Sequence, residues 1–111
     1  HLAGDMGVAL FDGLIKGKLI ENTVNGVVLT DVGVAFADKF GIDLEALRRK
    51  RRPLCRECLD WSARQSHLAG SFGAAMLDRF YELGWARRVA ESRIVRFERD
   101  GERQFRDLVN F

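Results

Sequence analysis

The sequence predicts an α+β domain assembled from two copies of one small unit. Three observations predict it. The opening phrase His1-Leu2-Ala3-Gly4-Asp5-Met6-Gly7-Val8-Ala9-Leu10-Phe11-Asp12 returns as His67-Leu68-Ala69-Gly70-Ser71-Phe72-Gly73-Ala74-Ala75-Met76-Leu77-Asp78, with apolar replacements at Met6/Phe72 and Leu10/Met76. Behind each copy the same punctuation follows: Gly17 answers Gly84, Val27-Val28-Leu29 answers Ile94-Val95-Arg96-Phe97, Gly33 answers Gly101 and Phe40 answers Leu108. The period of 66 to 68 residues exceeds the ~20–50 of stacked solenoid repeats. Two units that pack on each other about a pseudo-two-fold axis are therefore expected, rather than an array.

Each element has its own reason. From Leu2 to Lys16, Leu2, Met6, Leu10 and Leu14, with Phe11 and Ile15, recur at helical spacing, and Gly17 is the expected stop. The glycines of this helix, Gly4, Gly7 and Gly13, lower its intrinsic stability by up to ~1 kcal/mol each. Their absent side chains invite close approach of another backbone, which the repeat suggests is the equivalent helix 68–83. Residues 18–24 and 27–30 read as strands around an Asn25-Gly26 turn, a strong short hairpin signal. Thr30 then caps a helix that buries Val32, Phe36, Ala37 and Phe40 and ends at Gly41. Asp43 opens a short helix through Leu44, Leu47 and the basic run 48–52, which Pro53 terminates. Residues 54–62 read as one more helix or a pair of turns with Leu54, Cys58, Leu59 and Trp61 inward. The second copy repeats the plan: helix 68–83 carrying Phe72, Met76, Leu77, Phe80 and Leu83 inward, a stop at Gly84, and strands over 85–89 and 93–97 with Glu91-Ser92 near the tip. A last helix, 100–111, buries Phe105, Leu108 and Val109. The expected division is a first repeat at 1–41, a helical connector at 42–66 and a second repeat at 67–111. Helix, glycine, hairpin, capped helix is the order of the second half of a winged-helix domain, met here twice.

With 47% hydrophobic and 31% charged residues and no long apolar run, the composition excludes a membrane-spanning chain and a disordered one. The chain opens on His1 rather than Met, so a piece of a longer polypeptide is expected. Two cysteines, Cys55-x-x-Cys58, make no disulfide framework and suit a cytoplasmic, reducing location. A net charge of +2 hides an asymmetry. Residues 1–47 sum to −4 and residues 48–111 to +6, so the second part can face a polyanion or the first part.

The stretch Arg52-Pro53-Leu54-Cys55-Arg56-Glu57-Cys58-Leu59-Asp60-Trp61-Ser62, followed by His67-Leu68-Ala69-Gly70, resembles the C-terminal part of a subgroup of bacterial ArsR-type winged-helix transcriptional regulators. His1-Leu2-Ala3-Gly4, Leu29-Thr30 and Gly33 add to the likeness, which spans essentially the whole chain. It implies an upstream domain of roughly ~90 residues holding the DNA-reading helix-turn-helix, and a homodimeric regulator. Arg99-Asp100 departs from the usual Pro-Ala before the last glycine. The metal-binding cysteines that name the family would lie upstream, so metalloid sensing does not carry over.

Candidate functional residues fall into three groups. Arg48, Arg49, Lys50, Arg51 and Arg52, with Arg87, Arg88, Arg93, Arg96 and Arg99 of the second hairpin, can neutralise phosphates; the plainer reading is a solvated face. Cys55, Cys58 and His67 are candidates for a zinc site or a thiol switch, in which Arg52 and Arg56 would favour thiolate. A complete structural zinc site wants four ligands, and Asp60, His1 or a second subunit would have to complete it; two chemically idle thiols are the simpler reading. His1 and His67, with Asp12 and Asp78, recur at equivalent positions and are candidates for a symmetric cleft, the acids pairing with an arginine of the other copy. Base readout by helix 2–16 or 68–83 has little chemistry behind it, since only Ser71 and Arg79 offer suitable groups. Neither a nucleophile elbow, a His-Glu-x-x-His pattern nor a phosphate-cradling loop is present, so no enzyme is expected.

Overall fold

The computed structural model describes residues 2, 4–24, 26–60, 65–90, 92 and 94–110, the side chains of Leu59, Asp60 and Gln65 aside. The fold is α+β, with five helices and three antiparallel hairpins among the described residues. Helix α1 (Gly4–Lys16) leads into β1 (Ile20–Thr23) and β2 (Gly26–Leu29), then α2 (Asp31–Lys39) and the short α3 (Leu44–Arg48). Strands β3 (Arg56–Asp60) and β4 (Gln65–Ala69) form the middle hairpin, and α4 (Gly70–Glu82), β5 (Ala86–Arg88), β6 (Val95–Phe97) and α5 (Arg99–Leu108) complete the chain. Helix, strand, strand, helix thus occurs twice.

The two occurrences agree bond by bond at the helix ends. In the first, the amides of Gly17, Lys18 and Leu19 donate to the carbonyls of Gly13, Ile15 and Leu14; in the second, Leu83, Gly84 and Trp85 donate to Arg79, Tyr81 and Phe80. This alignment corrects one expectation. The residue equivalent to Gly84 (φ +74°) is Lys18 (φ +62°), not Gly17, so a lysine holds the left-handed turn that ends α1. Beyond the turn, Thr30 N donates to Leu19 O and Glu98 N to Trp85 O, both at 2.9 Å. Gly33 sits on the Leu19 carbonyl as Gly101 sits on that of Trp85. A side chain at either position would collide with backbone.

The glycine sides of α1 and α4 are buried, but the two helices do not use them to pack on one another. Gly7 lies on the carbonyl of Leu2 and Gly73 on that of Leu68, so each helix is pressed against the chain that precedes it. Strand β4 runs along α1, bringing His67 against Gly7. Gly13 of α1 meets Val109 beyond α5, while Arg79 of α4 donates its Nε to Phe40 O beyond α2 at 2.6 Å. Each leading helix therefore abuts the end of the other half's second helix.

One core joins both halves, from Leu10, Leu14 and Ile20 to Phe72, Met76, Phe80 and Phe105, all at most 2% exposed. Phe80 is its hub, stacked on Trp85 at 5.6 Å, edge-on to Phe105 at 5.4 Å and to Phe40 at 6.1 Å. Phe40 belongs to the first half, so this contact bridges the halves.

Other expectations need correcting. Residues 54–60 are not helical: β3 begins at Arg56 and pairs in register with β4, Cys58 opposite His67. Leu68 and Ala69 consequently belong to a strand, and α4 starts at Gly70, whose φ of +86° turns the chain. Ser71 N and Phe72 N donate to the carbonyls of Pro53 and Leu54, which close the helix start without a side-chain cap. The first hairpin turns one residue earlier than expected, because Thr23 pairs with Gly26. Thr30 does cap α2 through Gly33 N, yet Val32 points outward. Leu83 is also exposed rather than inward. Asp43 caps α3 as expected, but the helix stops at Arg48 and the rest of the basic run lies beyond it. Asn25, Trp61, Glu91 and Phe111 lie outside the described residues.

Candidate functional site

The cysteine pair sits where the connector meets the middle hairpin. Cys55 and Cys58 are thiols rather than a disulfide, both half-buried. Burial pushes the Cys55 thiol up to about 11, away from the thiolate that Arg52 and Arg56 were expected to favour. His67 faces Cys58 across the hairpin and is buried between β4 and Gly7 of α1. Among the described residues no group of three or more His, Cys, Asp or Glu is placed to hold a metal ion. His1 and the Asp60 side chain lie outside them.

The symmetric cleft does not form from the expected acids. Asp12 and Asp78 stand exposed on α1 and α4, and among the described residues neither enters an ion pair. Arg79, the neighbour of Asp78, makes the contact between halves instead. Its guanidinium bonds Phe40 O, lies 5.6 Å from the centre of the Phe40 ring and reaches Glu82 at 3.5 Å. Sequence reasoning weighed Arg79 as a base reader; its spacing to Phe40, 39 residues away, carried no local signal of this role.

The cations separate into occupied and open sets. Arg48, Arg49, Lys50, Arg51 and Arg52 are all exposed, and among the described residues none is paired with an acid. Arg87 and Arg96 are cross-strand partners on one face of the second hairpin; Arg87 is held by Glu98 at 2.8 Å, while Arg96 and Arg88 project into solvent. Arg93 lies outside the described residues. The leading helices turn mainly acids outward, Asp5 and Asp12 on α1, with Lys16 in its last turn, and Asp78 and Glu82 on α4, beside the half-buried Arg79. Ser71, the polar group best placed at the start of α4, is 2% exposed, and its hydroxyl has no hydrogen-bond partner among the described residues.

Two open clefts flank α2. The larger, about 640 Å³, lies between the N-terminus of α2 and the first hairpin, with Ile15, Ile20 and Val32 on its walls and Lys18, Glu21 and Asp31 at its rim. The smaller, about 370 Å³, is almost wholly apolar and runs along α2 over Leu19. Neither was foreseen from the sequence, because both depend on how α2 is seated.

Compared with known proteins, the chain is 37% identical over 110 residues to a protein of Bacillus subtilis (strain 168) described as the uncharacterized HTH-type transcriptional regulator YdfF. The chain is similar to half of a transcriptional regulator. The alignment takes in 99% of this chain and 49% of that protein, so the chain spans about half the length of the curated relative it matches. No family model matches. No solved structure matches either. Among the described residues no helix is long and apolar enough to cross a membrane.

Proposed function

We propose that the chain is the effector and dimerisation half of an ArsR-like DNA-binding transcriptional regulator, built from two duplicated winged-helix-like units, and that bases are read by the other half of such a protein. The observation that carries this reading is the sign and burial of the leading helices. A base-reading helix must present donors and cations to the major groove from its N-terminal end. Here α1 and α4 turn acids outward, their apolar and glycine faces are buried, and Ser71 is enclosed. Matched turn hydrogen bonds in the two halves support the duplication. Likeness to half of a protein named as a helix-turn-helix regulator supports the rest. Fluorescence anisotropy of labelled duplexes with this chain tests it. No sequence preference is expected; selective binding of one duplex by this chain alone would refute the reading.

A second role is favoured by one observation, the open cations at 48–52 together with Arg88 and Arg96. They would add sequence-indifferent phosphate contact to a regulator already seated on DNA. Such contact falls steeply with salt, log K dropping by about 0.9 per phosphate neutralised for each tenfold rise in salt. Absence of any duplex binding at low salt removes this role.

A further inference from the structure

The cleft between α2 and the first hairpin holds three charges that the fold does not use. Lys18, Glu21 and Asp31 line it, with Ile15, Ile20 and Val32 supplying apolar wall, in a volume of about 640 Å³. All three charged residues are exposed, and among the described residues none enters an ion pair. The dipole of α2 favours an acid at its start, which accounts for Asp31 alone. Val32 stands 57% exposed beside it.

Comparison of the halves shows that the scaffold does not call for these groups. The matched hydrogen bonds set Leu19 against Trp85 and Thr30 against Glu98, so Lys18 corresponds to Gly84, Glu21 to Arg87 and Asp31 to Arg99. In the second half this corner is matched from within, since Glu98 holds Arg87 at 2.8 Å. The first half has Thr30 in place of Glu98, and backbone occupies its hydroxyl, which donates to Lys18 O at 2.6 Å and accepts from Gly33 N at 3.1 Å. Glu21 is left open, and the backbone of Lys18 is tied to the start of α2.

Lys18 carries a second sign. It holds φ +62° where the second half uses glycine, and a side chain in that region is strained. Strained residues of this kind gather at functional sites. Glycine would end α1 as Gly84 ends α4; what it would lack is the ammonium.

We propose that this cleft binds a small amphipathic zwitterion, an apolar α-amino acid being the simplest case. Its ammonium lies toward Glu21 and Asp31, its carboxylate toward Lys18, and its side chain packs on Ile15 and Val32. A plain cation would leave Lys18 opposed, and a plain anion would meet two carboxylates. Apolar walls with a few polar groups that fix orientation are the usual make-up of small-molecule sites, and the volume falls within their ~300–1,000 Å³. The proposal deepens the effector role given above by naming the class of effector, and it rests on that role for its regulatory meaning. In an open cleft each solvated charge contact contributes little, so the Kd is on the order of 1 mM.

Amide proton–nitrogen correlation spectra of the 111-residue chain, titrated with L-phenylalanine, test it. Shifts at the amides of Lys18, Glu21 and Val32 should saturate with a Kd on the order of 1 mM. Phenethylamine, which lacks the carboxylate, and hydrocinnamate, which lacks the ammonium, should each bind at least about fivefold more weakly for the lost charge pair. Lys18→Gly separates binding from folding, because it relieves the turn. Its melting temperature should hold or rise while its Kd for L-phenylalanine rises about fivefold. Glu21→Gln should weaken binding by a similar factor with the circular dichroism unaltered. Absence of saturable shifts up to about 20 mM L-phenylalanine overturns the proposal, as does a Lys18→Gly chain that binds as well as the unaltered one. Phenethylamine binding as tightly as L-phenylalanine also overturns it, since Lys18 would then hold nothing. None of these outcomes bears on the duplex titration, so this proposal and the reading beneath it fail separately.

Discussion

Replacing Gly101 with alanine offers a measurable test of how α5 is seated. Gly101 is buried at the start of the helix, and a methyl group built there would overlap the carbonyl oxygen, Cα and carbonyl carbon of Trp85. Ordinary contact begins near 3.4 Å, so the helix must retreat by on the order of 1 Å, which forfeits packing along its buried edge. Trp85 O is also the acceptor for Glu98 N at 2.9 Å, and Phe105 on the same helix is fully buried against Phe80 and Phe97. Overpacking of this kind costs about 2–3 kcal/mol. Loss of the backbone hydrogen bond adds about 1 kcal/mol, and the better helix propensity of alanine returns about 1 kcal/mol. The net expectation is a loss of about 2–3 kcal/mol, or roughly 10–15 °C in melting temperature for a domain of this size. Urea unfolding followed at 222 nm would report it as a lowered midpoint at constant slope. Gly33→Ala should cost a similar amount, because it meets the Leu19 carbonyl and the Leu29 side chain. Gly84→Ala has no atom within 4 Å and should cost only about 1–2 kcal/mol of left-handed strain. A neutral Gly101→Ala, or a larger loss at Gly84 than at Gly101, would refute the reasoning.

Three further outcomes are expected. Lys18→Gly should stabilise the chain by about 1 kcal/mol, because Lys18 holds φ +62° where the second half has glycine; a lower urea midpoint would contradict this. Arg79→Ala should cost about 1–3 kcal/mol, since it leaves Phe40 O without its charged donor and removes the cation over the Phe40 ring, and Arg79→Lys should recover part of the loss in the same assay. Alkylation of Cys55 by iodoacetamide, followed by peptide mass spectrometry in the folded chain, should rise about tenfold per pH unit through pH 8–10 and level only near 11. The same raised value means that its contribution to stability is complete below the ordinary 9.0 and is lost as pH climbs from there through about 11. A plateau near pH 8 would show that the thiol is not enclosed as described.

Much of the fold was legible because its signals are local. Thr30 before an apolar stripe, Asp43 three residues before Ala46, and glycines at the ends of α2 and α4 act within one turn of chain, and each appears where such signals place it. The middle hairpin was misread for a non-local reason. Leu54, Cys58, Leu59 and Trp61 match a helical period, whereas β3 exists because β4 is there to pair with it. Of its partner residues, Leu68 and Ala69 are expected from the sequence in the following helix, since a repeated phrase does not show where within it a strand yields to a helix. Gly4 and Gly70, with φ +70° and +86°, mark that point in both halves. The glycine faces were expected to lie against the equivalent helix, but Gly7 and Gly73 meet carbonyls of the preceding chain and Gly13 meets Val109. Among the site candidates, exposure of the basic run matched the plainer reading as well as the functional one. Arg79 and the open face of α2 depend on contacts across the fold, which spacing alone does not encode.

The seating of Gly13 on Val109 and of Arg79 on Phe40 means that the first helix is clasped by the far end of the chain, and the fourth by the end of the second. Neither half owns a finished interior. Cutting the polypeptide between residues 50 and 54 would leave two pieces that lack partners for their own leading helices, so melting should proceed as a single event. Any signal that loosens one clasp is for that reason felt at the opposite end of the molecule.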